Sequence, residues 1–264
     1  MRTALAIARK ELSIYFTTPW AYAVFTAMQA IASFFFVNGL SDFQRAQAHA
    51  RQAGWEQVPP MFRNLTDGVM VPFWNSVMII TLFVVPFLSM RLFAEERRNK
   101  TFELLMASPI RPVEIVLGKY LGGLGIVTTT LGLTLVFPLL LTWLGAGESG
   151  TALEWGTVLL GYVGLLLWGA TCMALGLFIS SLTQSQMVAA LVTFAVLLPW
   201  MLLRGLAQNT EEPVRSVLNY ISFSSQLSGM LSGVLDSQTP VFFLSVIVLA
   251  LLLCHRAVES RRWA

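Results

Sequence analysis

RLFAEERRNKTFELLMASPIRPVEIVLGK, residues 91–119, is the one dense run of charge in an otherwise apolar chain. SVMIITLFVVPFLSM (76–90) precedes it and YLGGLGIVTTTLGLTLVFPLLLTWL (120–144) follows it. Each flank is long enough to cross or nearly cross a bilayer, so the charged run must be a loop between two spans. Its six cations are Arg91, Arg97, Arg98, Lys100, Arg111 and Lys119, set against Glu95, Glu96, Glu103 and Glu114. Lys and Arg close to span ends mark the cytoplasmic side, so the loop should face the cytoplasm. Phe102, Leu105 and Met106 recur at one-turn spacing, which predicts a short amphipathic helix beginning near Thr101 with an apolar patch on one face. Pro109 disfavours helical geometry at Ser108 and should stop it. Pro112 then suits the first turn of the next helix, where its missing N–H costs nothing, and Glu114 suits the positive end of that helix's dipole.

Composition places the whole chain in the membrane. Of 264 residues, 56% are hydrophobic and 12% charged, against roughly 45–50% apolar and about 25% charged in a soluble domain. This length fits one helical bundle with little room for a separate soluble domain. The net charge of +3 does not indicate nucleic acid, because the cations follow membrane topology and are not gathered on one face. Cys172 and Cys254 both fall in apolar spans and read as packing residues, not as a disulfide framework or metal site.

Before the first span, MRTALAIARKELSIYF lacks the small-residue cleavage site of a signal peptide. On a helical wheel Leu5, Ala8, Leu12, Tyr15 and Phe16 share a face, with Arg2, Arg9, Lys10 and Ser13 opposite, so residues 1–18 should lie in the membrane interface. Arg9, Lys10 and Glu11 are its charged core. Six spans are expected at 20–40, 73–90, 116–144, 155–178, 187–203 and 241–258. Residues 41–72 form an outer connection in which 41–53 could be a surface helix, and 91–115 is the cytoplasmic loop. Residues 204–240 form an extracytoplasmic segment with helices lying on or dipping into the outer leaflet. In the third span Gly118 and Gly122 stand four apart, a spacing that lets helices approach closely in lipid. ISSLTQSQ (179–186) is a polar hinge on the inner side. With both termini inside, twelve of the 17 Lys and Arg fall on the inner side; the outer five are Arg45, Arg51, Arg63, Arg204 and Arg215.

No ionisable residue lies near the middle of a span, which argues against an ion-coupled carrier. The only Gly-Lys, at 118–119, is followed by Tyr and lacks the upstream Gly of a phosphate loop, so any ATP hydrolysis belongs to another chain. His49 and His255 fall on opposite sides of the membrane and cannot share a metal. GxSxG and HExxH are absent.

The string EERRNKTFELLMASPIRPVEIVLGKYLG resembles the loop of permease subunits of type 2 ABC exporters, in which Glu, Arg, Gly-Thr, Glu-Leu-Leu, Ser-Pro and Leu-Gly-Lys recur. The match runs through Glu95, Glu96, Thr101, Glu103, Leu104, Leu105, Ser108, Pro109, Leu117, Gly118 and Lys119. It departs at Asn99-Lys100, where that family often has Gly before Thr. GLFISSLTQSQMVAA resembles the turn before the family's fifth span. ARKELSIYFTTPWAYAVF, together with YISFSSQLSGMLSGVLDSQTPVFFLSV and the terminal ESRRW, is similar to the gliding-motility-associated branch.

The resemblance implies an all-α permease of six spans in the bacterial inner membrane, with both termini cytoplasmic. It would work with a second permease copy or a related permease and a dimer of cytosolic ABC ATPase subunits. ATP and Mg would be bound by the ATPase, and no cofactor by this chain. In that branch a partner with a large extracytoplasmic domain often accompanies the permease. The loop then acts as a coupling helix. Phe102, Leu105 and Met106 are expected to pack on the ATPase, and Glu95, Glu96 and Glu103 to meet its basic residues. An anchor or scaffold that recruits an ATPase without moving substrate would carry the same loop.

Overall fold

The computed structural model describes residues 2–54, 56, 58–102, 110–145 and 153–260. Pro19 occupies the first turn of a new helix, so the chain breaks after α1 (Arg2–Thr17) and enters α2 (Pro19–Ala53). Where separate segments at 20–40 and 41–53 were expected, α2 runs unbroken for 35 residues. The stretch SDFQRAQAHARQA is rich in strong helix formers and has no proline, and the helix ends only at Gly54, whose φ of 88° suits glycine. The part beyond Leu40 projects roughly 20 Å. Its Phe43 is buried over Gly68, where a side-chain Cβ would come within 2.6 Å of the ring.

A π turn (Thr66–Met70) leads into α3 (Val71–Ser89), and after a bend at Met90 comes α4 (Arg91–Arg98). The third span divides into α5 (Pro112–Leu133) and α6 (Val136–Gly145). Pro138 explains the division, because it cannot donate to the carbonyl of Thr134 and its ring crowds that carbonyl. Thr134 O instead accepts from Phe137 N at 3.1 Å and from the Tyr162 hydroxyl at 2.8 Å. Next follow α7 (Trp155–Leu182), α8 (Gln186–Gln208), two short helices α9 (Val214–Ile221) and α10 (Phe223–Leu231), and α11 (Gln238–Ser260).

No strand occurs among the described residues. Among these residues six helical stretches are long and apolar enough to cross a membrane, the architecture expected from the sequence. α7 is the central post. Its glycines open notches that neighbours fill, Trp74 of α3 at Gly161, Leu227 of α10 at Gly164 and Val127 of α5 at Gly169. Small residues at such contacts let membrane helices gain close van der Waals packing where no water drives them together. Trp168 is fully buried and donates to Met78 O at 3.1 Å. α2, α8 and α11 stand at the periphery with broad apolar faces exposed, including Phe34, Val37, Leu191, Leu202, Val248 and Leu252.

Candidate functional site

Among the described residues, Glu11 of α1, Arg91, Glu95 and Glu96 of α4 and Lys119 of α5 come together at one end of the bundle. α1 lies along α5, and its buried residues are Ala4, Ala8, Glu11 and Tyr15. This face is rotated from the one expected, since Leu5 is 63% exposed and Phe16 38%. Two local features set the rotation. Gly118 of α5 admits the α1 backbone so closely that a Cβ there would lie 2.7 Å from Ile7 Cβ and 2.8 Å from Ala4 O. One turn on, a Cβ at Gly122 would lie 2.7 Å from the Cβ of Glu11. Small Ala4 and Ala8 fit that glycine face, and Glu11 turns inward because a counterion waits there.

That counterion is Lys119, only 1% exposed although it reads in sequence as a loop cation. Its ammonium donates to Glu11 Oε1 at 2.9 Å, Glu96 Oε1 at 2.8 Å and Leu92 O at 2.6 Å. The face of the Phe93 ring lies 5.2 Å away. All three ammonium hydrogens thus find acceptors, as a buried charge requires. Beside this centre Arg91 Nε bonds Glu95 Oε2 at 2.9 Å, an (i, i+4) pair. Tyr15 donates its hydroxyl to Leu88 O at the end of α3. Burial pushes the Tyr15 pKa up, with Glu11 adding to the effect, so the hydroxyl keeps the proton it donates.

The polar hinge supplies the opposite support. Ser180 of α7 is fully buried; its Oγ accepts from Phe93 N at 3.2 Å and Ala94 N at 3.1 Å and donates to Met90 O at 3.1 Å. These amides belong to the first turn of α4, where a helix lacks its own acceptors. Ser180 on the central post thus holds the start of α4 alongside Lys119.

α4 ends in a turn that explains the departure at Asn99-Lys100. Lys100 has φ 56°, and Thr101 N reaches back to Glu96 O at 2.9 Å, the arrangement that closes many helices with a left-handed residue. Glycine takes that conformation freely, whereas a residue with Cβ is strained in it. Lys100→Gly is expected to stabilise the protein by about 0.5–1 kcal/mol, the strain relieved less the entropy glycine loses on folding, seen as a higher midpoint of thermal unfolding in detergent.

Of the residues expected to meet a partner, Glu95 and Glu96 are engaged within the chain by Arg91 and Lys119. Phe102 points inward, 9% exposed, with its ring edge-on to Phe93 at 6.2 Å and Arg97 over its face at 5.1 Å. An aromatic ring that can cover both Phe93 and a guanidinium gains more from that packing than from solvent. Thr101 is exposed; Arg9 and Lys10 lie on the exposed side of α1. Glu103, Leu105, Met106, Ser108 and Pro109 lie outside the described residues. Sequence reasoning named Lys119 as a loop cation and family match and placed Ser180 in the polar hinge, but it missed the partners of both. The available signals were an acid on an otherwise basic helix face and a serine pair in the hinge.

A second feature opens at the same end. Between α3 and α8 runs a cavity of about 830 Å³ whose walls include Phe83, Phe87, Leu191 and Phe194, with Arg98 and Gln184 among its polar lining.

Membrane-length helices gathered on a glycine-notched post, with a charged helix braced at one end, make the architecture of a multi-pass membrane protein. The chain belongs to the ABC-2 family transporter protein family, which it matches over residues 5–258. It is therefore a multi-pass membrane protein of the permease class. Comparison with curated proteins finds no match.

Proposed function

We propose that this chain is the permease subunit of an ATP-driven exporter, with hydrolysis carried out by separate cytosolic ABC ATPase subunits that bind the ATP and Mg. The observation that carries this reading is the three-way bond at Lys119, which ties the N-terminal helix, the helix leading into the loop and the third span together at the loop's root. A push on residues 103–109 would reach the bundle through that root. Lys and Arg concentrate at the loop end, which supports a cytoplasmic orientation of that end and of both termini in a bacterial inner membrane. The exposed apolar faces of α2 and α8 suit a second permease copy or a related permease. The gliding-motility-like ends of the chain add a partner with a large extracytoplasmic domain. An open-sided cavity with aromatic and aliphatic walls and Arg98 at its polar lining supports an amphipathic substrate entering sideways from the bilayer, and so favours transport over a scaffold that moves nothing.

The test is purification in mild detergent together with an ABC ATPase encoded beside this gene, followed by ATP hydrolysis with and without Glu103→Arg. The ATPase is expected to co-purify. Charge reversal should abolish stimulation by the permease while the membrane bundle still elutes as a folded species. An intact protein that captures no ATPase would sink the assignment.

A further inference from the structure

α1 and α4 are held by different neighbours. α1 is seated on the glycine face of α5, whereas α4 is fixed to α7 by Ser180. Between them lies a polar cavity of about 160 Å³, bordered by Glu11, Tyr15, Arg91, Glu95, Glu96 and Lys119. An apolar seam would hold two helices by close packing, but a polar gap of this size leaves that work to whatever spans it. Among the described residues, Lys119 hydrogen-bonds both helices at once, whereas Tyr15 of α1 reaches only Leu88 O at the end of α3 and no residue of α4. We propose that Lys119 is a positioning residue whose ammonium fixes the separation of the N-terminal helix and the loop helix and anchors both to the third span.

The chemistry suits that task. An ammonium is a compact charge on a flexible stem with three donors, so it can serve acceptors arriving from two directions. Its acceptors here are one carboxylate from each helix and the carbonyl of Leu92, and the near-complete burial of the ammonium weakens screening of these bonds by water and salt. The consequence for coupling rests on the proposed function. A displacement of α4 by the ATPase would carry α1 and α5 with it, instead of closing or widening the cavity.

The separation can be read directly on the permease alone. Spin labels at R9C on α1 and R98C on α4 sit on exposed positions, and the native Cys172 and Cys254 are buried and escape labelling. In the labelled parent one narrow distance is expected. It should broaden in K119M and in K119M/E11Q/E96Q. The triple variant leaves no uncompensated buried carboxylate, so its melting temperature should return towards the parent's, and it carries the test if K119M does not fold. A triple variant that melts like the parent yet keeps the narrow distance would overturn the proposal, because packing alone would then set the separation. The measurement needs no ATPase, so a failed co-purification counts against the proposed function and not against this inference.

Discussion

Lys119→Met is expected to lower the stability of the bundle by about 3–5 kcal/mol, the range for removing one partner of a buried ion pair, measured as the shift in thermal unfolding in detergent. The size follows from what is left behind. Glu11 and Glu96 both approach the same ammonium, at 2.9 and 2.8 Å, so without it two carboxylates face one another across a space from which the lysine excluded solvent. The Glu11 side chain is 9% exposed and that of Glu96 19%, so Glu96 can recover some hydration and the effect should fall towards the lower end. Glu11→Gln should cost much less, about 1–2 kcal/mol, because the lysine keeps Glu96 and Leu92 O and the amide still accepts a hydrogen bond. If Lys119→Met melts with the parent protein, the three-way bond contributes nothing to the fold.

The contrast between Lys119 and its surroundings shows which parts of this molecule were legible in sequence. Span number and helical class were readable because hydropathy is a local property and a bilayer demands long apolar helices whatever they pack against. Breaks were readable where proline or glycine chemistry makes them, as at Pro112, which opens α5 as expected. The break at Pro138 was also written in the chain, but within an apolar run a proline is tolerated if a neighbour serves the freed carbonyl. That neighbour, Tyr162, lies on another helix. The buried charge cluster was not readable, because Glu11 and Lys119 are 108 residues apart and no periodicity joins them. Counting Lys119 as a topology marker used only its nearness to a span end. The burying of Phe102 has the same origin, since one-turn spacing gives a face and says nothing about whether that face turns to Phe93 or to a partner.

Trp168→Ala should be as costly, about 3–5 kcal/mol, the range for emptying a large buried aromatic site, and its cost should separate into two parts. Trp168 stands on the central helix with no exposure and joins two elements that do not follow one another in sequence. Its indole N–H reaches Met78 O on α3, and its ring meets Phe223 on α10 at 5.2 Å. Phe223 in turn touches Trp200, Phe242 and Phe243, so removal of the indole unseats the short helix that α8 and α11 close around. Trp168→Phe keeps most of the ring contact and loses only the hydrogen bond. Met78 O is a carbonyl inside α3, where the helix supplies an acceptor's first partner, so its desolvation is limited and the loss should be about 1 kcal/mol. The difference between the two variants then measures the aromatic cluster. Should Phe and Ala prove equally damaging, the hydrogen bond to α3 would be what secures α10, and the rings would be filling space. A cost near 1 kcal/mol for Phe with the larger loss reserved for Ala assigns the seating of α10 to ring packing on the same helix whose Ser180 helps hold the charged end.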